Sequence, residues 1–422
     1  MSATGRGPTP DVDASAAPAT DSRRPNSGFW AAAFAFLIVM AAATLPSPLY
    51  GLYRIRDDLS ALTITVVFAI FAAGTIVMLR RDNAVVARIG RRGAMLAAVA
   101  TMMAAMVVLA VWKSLPGLLL GRLITGVAVG LAAGTAITYL IELRVRADPQ
   151  GAIRARTIGT SVTVGALGVG PLVAGCLAQW VAQPLTVPYL VFIALGAVAL
   201  VGLRGAPETG APVRRAAMKP AGTSAPDGQS SGTGPKVRLP VPAAAATLAG
   251  FAANGLFAGL SGLFLATTLH QPSHALSGAS LFLLFSCGVA SQLATGTLPA
   301  SRVLALGTAS MLAGLVLLVV SVRLAAPSLP LFLIGGALIG AGSGAVFKGT
   351  TGIVLEASPP ESRVAMTSAL LIALYVGLAV PVIGAGVALS QGATPPDTVL
   401  GFAIVVGLGV AASGWGLLRR RA

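Results

Sequence analysis

From Phe29 onward the chain alternates long apolar runs with short polar joints. A bilayer core is crossed by about 20 apolar residues in a helix. Runs near that length occupy 29–51, 59–80, 93–112, 116–142, 155–181 and 187–204, and a second set occupies 241–269, 277–298, 302–324, 329–355, 363–390 and 398–418. The pattern predicts an all-α membrane protein, with twelve transmembrane helices in two six-helix bundles at 29–204 and 241–418. Residues 1–28, rich in Ala, Pro, Ser, Thr and Asp, contain no apolar run and read as a disordered cytoplasmic tail. Residues 205–240, the longest interior polar stretch, read as a flexible cytoplasmic linker, and 419–422 as a short second tail.

The two sets are related. Laying Leu115-Pro116 over Leu329-Pro330 brings Leu119 onto Leu333, Gly121 onto Gly335, Gly126 onto Gly340, Gly130 onto Gly344 and Glu142 onto Glu356. The fourth and tenth spans therefore read as copies, the relation expected when the halves of a transporter are parallel repeats.

Composition sharpens this. The chain is 55% hydrophobic and 10% charged, against about 25% charged in soluble domains. An ordinary soluble enzyme, a nucleic-acid binder and a disordered scaffold are excluded. The formal charge of +16, from 29 Lys+Arg against 13 Asp+Glu, is read as cytoplasmic positive charge. With the N-terminus inside, twenty-three cations fall in cytoplasmic segments and four outside, which places both termini in the cytoplasm. Few lysines among the cations and heavy use of alanine point to a GC-rich bacterial genome and a bacterial cell membrane. Cys176 and Cys287 lie far apart in apolar runs and imply no disulfide framework.

Charge within the spans is the sharpest chemical clue. Arg122 lies toward the outer end of the fourth span, roughly 10 Å from its centre at about 1.5 Å per residue. A cation there faces a partner or a cavity, or snorkels to the headgroups. Lys348 lies toward the cytoplasmic end of the tenth span, where snorkelling is easier. No acid sits mid-span; Glu142 and Glu356 mark the inner ends of spans four and ten, where nearby arginines offer pairing. These four are the candidates for coupling or gating. Gly126 and Gly130 belong to a stripe of every fourth residue that lets helices approach closely. In the fifth span Gly170, Pro171 and Gly175 combine a kink with close approach, and Pro381 occupies a comparable place in the eleventh. Thr163, Asn254, Gln292 and Tyr375 are candidate groups for a substrate cavity. His270 and His274 flank Pro272 and read as a solvated loop. No nucleophile triad, HExxH or phosphate-binding Gly-x4-Gly-Lys loop is present, so ATP-driven transport and enzymatic chemistry are not expected, and no cofactor or metal is.

These residues resemble the major facilitator superfamily, and within it the twelve-helix drug:proton antiporters, over about 29–418. The family's loop between spans two and three, Gly-x-Leu-x-Asp-Arg-x-Gly-Arg-Arg, is similar to Asn83 through Arg92, with Arg88, Gly90, Arg91 and Arg92 retained, Asn83 replacing the Gly and Ala87 the Asp. Arg122, Gly126 and Gly130 resemble the family's Arg-x3-Gly-x3-Gly element. Gly170, Pro171 and Gly175 resemble the antiporter element ending Gly-Pro-x2-Gly-Gly, and Pro207-Glu208-Thr209 resembles the segment after the sixth span. The resemblance implies alternating access around a central cavity and export of a hydrophobic or weakly cationic small molecule in exchange for protons. Arg122 would couple or gate, and the 80–92 loop would brace the cytoplasmic face. A monomer in the lipid bilayer is expected, with no nucleic-acid partner. An uptake permease for a small metabolite on the same fold is the alternative.

Overall fold

The computed structural model describes residues 23–147, 151–209, 239–359 and 362–419. Twelve segments are long and apolar enough to cross a membrane, and no strand occurs among the described residues. The first is built from two helices, α1 (Arg23–Ala42) and α2 (Tyr50–Asp57), with a 3-10 turn over Ser47–Leu49 between them. Spans two to six are α3 (Ala61–Leu79), α4 (Asp82–Val111), α5 (Leu115–Ala147), α6 (Ala152–Trp180) and α7 (Val187–Arg204). Spans seven to twelve are α8 (Val241–Thr267), α9 (His274–Ala294), α10 (Ala300–Arg323), α11 (Leu329–Glu356), α12 (Arg363–Ser390) and α13 (Pro395–Arg419). The end of the molecule where α1 begins and α13 finishes is here the terminal end, and the opposite one the far end.

Three sequence expectations need correction. The run 29–51 is not one helix. Pro46 and Pro48 remove two backbone donors in succession, so α1 stops at Ala42 and the chain turns before α2 resumes. At its other end α1 already starts at Arg23, inside the stretch read as tail. The joint between spans two and three is also helical, since α4 begins at Asp82 and changes direction at Gly90, where φ is 76° and ψ 174°. Only glycine adopts that backbone readily, and a Cβ there would lie 2.7 Å from the Glu208 carboxylate. The remaining starts follow ordinary capping. The Ser60, Ser273 and Ser328 hydroxyls accept the N–H of Thr63, Leu276 and Leu331 at the heads of α3, α9 and α11. Most of the 205–240 linker lies outside the described residues.

Glycine sets the packing within each bundle, and the sequence repeat reappears in it. Gly126 and Gly130 of α5 press on the backbone of α3, at the carbonyls of Phe71 and Thr75. Their counterparts Gly340 and Gly344 of α11 press on α9, at the carbonyls of Leu284 and Gly288. Span four thus meets span two as span ten meets span eight. The stripe is packing inside a bundle, where close backbone approach takes the place of the hydrophobic drive that lipid removes. Between the bundles α6 meets α9 and α3 meets α12.

Candidate functional site

The α6–α9 seam is closed at the far end. A Cβ on Gly175 would strike the His274 carbonyl, and one on Gly278 the Pro171 carbonyl, so the two backbones touch there. Gln179 of α6 reaches across the seam. Its Oε1 accepts the His274 N–H at 3.0 Å and the Ser273 hydroxyl at 3.2 Å, and so caps α9 from the other bundle. On the α3–α12 side Phe71 meets Tyr375 edge to face, with ring centroids 5.8 Å apart, and Thr65 packs on Gly386.

Toward the terminal end a groove of ≈ 470 Å³ runs along the α6–α9 seam, lined by Thr157, Ser161, Val162, Phe282, Ser286 and Val289 among others, with Leu37 of α1. Its lining carries hydroxyls and apolar groups and no charged side chain. Ile158 also lines a smaller cavity of ≈ 190 Å³, bounded by Phe29, Trp30, Arg144 and Arg154.

Arg122 lies in the far half of α5 and is fully buried, 0% exposed. Its Nη1 donates to the Ala43 carbonyl at 2.5 Å. That carbonyl is free because the proline break re-routes the Ser47 N–H to Thr44. The guanidinium stacks over Phe71 at 4.7 Å and Phe68 at 5.9 Å from the ring centroids. The Tyr50 and Tyr189 phenols are its titratable neighbours, and Tyr189 shares a 3.2 Å hydroxyl contact with Tyr53. Burying such a charge costs several kcal/mol, while a charge-assisted hydrogen bond returns about 1.5–3 kcal/mol and a desolvated cation–π contact about 2 kcal/mol. Arg122 Nε and Nη2 and the Tyr50 hydroxyl have no hydrogen-bond partner among the described residues.

Next to this cluster the α1 break also stabilises α6. Pro171 has no N–H to give the Leu167 carbonyl one turn back, and the Thr44 hydroxyl donates to that carbonyl at 2.6 Å instead. Gly170 lets α6 approach the Ala41 carbonyl.

The terminal end holds a second network, built around the start of α4. Arg91 Nε pairs with Glu142 at 2.8 Å. Glu208 accepts the N–H of Arg91 at 2.9 Å and of Arg92 at 3.3 Å, capping the part of α4 that starts after Gly90. Arg88 and Ala87 are exposed. Asp82 is buried, accepts the Thr135 hydroxyl at 2.9 Å and fills the space beside Gly134. Removing the carboxylate with Glu208→Ala orphans two helix-end donors, and loss of a cap costs about 1 kcal/mol. The variant is expected to melt at lower temperature in detergent, with Glu208→Gln intermediate.

In the second bundle Lys348 Nζ donates to the Gln292 carbonyl at 2.6 Å and to Thr295 at 3.3 Å, a cation at the C-terminal end of α9. Gln292 in turn donates to the Gly344 carbonyl at 3.4 Å. Asn254 bonds Ser343 at 3.0 Å between α8 and α11, and Thr163 bonds its own helix at Gly159. Neither these three nor Tyr375 lines the groove. Glu356 is exposed at the end of α11.

Sequence reasoning gives Glu208 only as part of the Pro207-Glu208-Thr209 resemblance and Asp82 only as an acid upstream of Ala87, and it misses Gln179 altogether. The Pro-Ser-Pro signal of the α1 break was there to be read, but the pairing of its freed Ala43 carbonyl with Arg122 was not.

Residues 26–144 match the family described as Sugar (and other) transporter. The fold is similar to that of a point mutant of the nucleoside transporter NupG, with a TM-score of 0.67 and 11% identity, covering 93% of this chain and 99% of that one. It is also similar to a bacterial homologue of the human lysosomal transporter Spinster, in an inward-facing and unoccupied conformation, with a TM-score of 0.60 and 16% identity, covering 94% of this chain and 95% of that one. No curated protein matches the sequence. The chain has the major facilitator fold: twelve membrane helices in two bundles of six.

Proposed function

We propose that the chain is a secondary active transporter that exports a hydrophobic or weakly cationic small molecule in exchange for protons, by alternating access. The observation that carries this reading is the uncharged ≈ 470 Å³ groove along the α6–α9 seam, beside a far end where the same helices are in backbone contact. Such a lining suits an apolar body, and the Phe282 face suits a weak cation. The Lys/Arg bias supports a cytoplasmic terminal end in a bacterial cell membrane, so the groove would load from inside the cell.

In this reading Arg122 gates, because it ties α5 to the hinge of the first span. Pro171 and Pro381 are the flexing points of α6 and α12. Glu142, Lys348 and Glu356 act at the cytoplasmic end, together with Asp82, whose buried carboxyl is the acid best placed to exchange a proton there. The uptake alternative draws on the match to sugar transporters and the likeness to a nucleoside transporter, but a polar metabolite would find few partners in this groove.

Inverted vesicles from an efflux-deficient host test the reading. An imposed proton gradient is expected to drive accumulation of lipophilic dyes, and an uncoupler to abolish it. Gradient-independent equilibration, or accumulation of sugars or nucleosides into right-side-out cells, would replace export by uptake.

A further inference from the structure

The geometry points to a binding site for a small monovalent anion at Arg122, buried in the far half of the first bundle. Such a site is independent of the direction and substrate of transport. Among the described residues Asp82 and Arg122 are the two buried charged side chains. They cannot neutralise each other. Asp82 sits beside Thr135, thirteen residues along α5 from Arg122, which is ~20 Å at about 1.5 Å per residue. The remaining acids whose side chains are described lie at helix ends or in joints.

A guanidinium at 0% exposure therefore stands without a carboxylate. One nitrogen is committed to the Ala43 carbonyl. Two more, Nε and Nη2, are buried and unpartnered among the described residues, as is the Tyr50 hydroxyl, which belongs to the same electrostatic cluster. These are donors: a guanidinium has no acceptor, and a phenol gives one O–H. Buried donors left without acceptors beside a desolvated positive charge suit an anion, whose charge also offsets the cost of burying the arginine. Phe68 and Phe71 cover the guanidinium face, which leaves its edge for the ligand and favours a compact ion such as a halide or a short carboxylate. The site belongs to one bundle only, because the repeat places Gly336 opposite Arg122, packed against Phe257.

Thermal unfolding of the purified full chain, in chloride, acetate or gluconate at matched ionic strength, reads this out. Chloride is expected to raise the melting temperature saturably, and bulky gluconate to leave it unchanged. Acetate acting like chloride would assign the site to small carboxylates as well, and chloride acting alone would restrict it to halides. Arg122→Gln is expected to remove the anion response. Should that variant fail to fold, Tyr50→Phe is expected to raise the chloride concentration of half effect several-fold, and radiolabelled chloride is expected to bind wild type and be displaced by bromide. Equal shifts in all three salts, an undiminished chloride response in Arg122→Gln, or no displaceable chloride binding would overturn the proposal.

Discussion

Arg122→Ala is expected to reduce transport to background while the chain still reaches the membrane in normal amount. The side chain ties α5 to the broken first span with a full charge, and its Nη1 holds the Ala43 carbonyl at 2.5 Å. Alanine leaves that carbonyl unpaired in a dry interior, at about 1–3 kcal/mol, and uncovers the Phe68 and Phe71 faces. Because the twelve spans are long and apolar without it, insertion does not depend on the arginine. Arg122→Lys is expected to recover little, since an ammonium cannot reach the carbonyl while lying flat on two rings. Transport of the proposed substrate class in vesicles, normalised to membrane-inserted protein, is the measurement. Full transport by Arg122→Ala would remove the residue from the mechanism.

Gly278→Val is expected to cut transport by about tenfold or more by a different route. A Cβ at this position meets the Pro171 carbonyl of the opposite bundle, so valine penalises the conformation in which α6 and α9 touch and spares one in which they separate. Overpacking of this kind costs about 1–3 kcal/mol, and about 1.4 kcal/mol already shifts a two-state balance tenfold. Val382, fully buried in α12, supplies the reporter. In a background with Cys176 and Cys287 replaced by serine, Val382→Cys is expected to be labelled from the far side faster when Gly278→Val is present. Unchanged labelling together with unchanged transport would show that this contact does not control closure. Gly126→Val serves as the contrast: it strikes the Phe71 carbonyl inside a bundle and is expected to lower abundance and not to redistribute conformations.

The repeat is where sequence and structure agree most closely. The glycine pairs on spans four and ten correspond residue by residue, and each pair packs on the equivalent neighbour of its own bundle. The coupling candidates were legible only as isolated charges. Glu142 could be expected to pair with a nearby arginine, yet the partner is Arg91, brought back by the turn at Gly90, while Arg144 lies over Phe29. Gln179 gave no signal at all, because a glutamine at the end of a span becomes informative only when the head of another helix arrives beneath it.

The sequence by itself determined the class of the protein. Spans of apolar residues, too long and too poor in charge for water, admit only membrane helices, since every backbone polar group must be satisfied within the segment. Their number, their grouping and the relation of the halves follow from the same one-dimensional record. The tertiary structure decided what long-range pairing decides: that the first span breaks and gives its free carbonyl to Arg122, that Thr44 replaces the hydrogen bond Pro171 cannot make, and that the groove lies along the α6–α9 seam. Residues far apart in the chain meet at these points, and only packing sets which donor finds which acceptor.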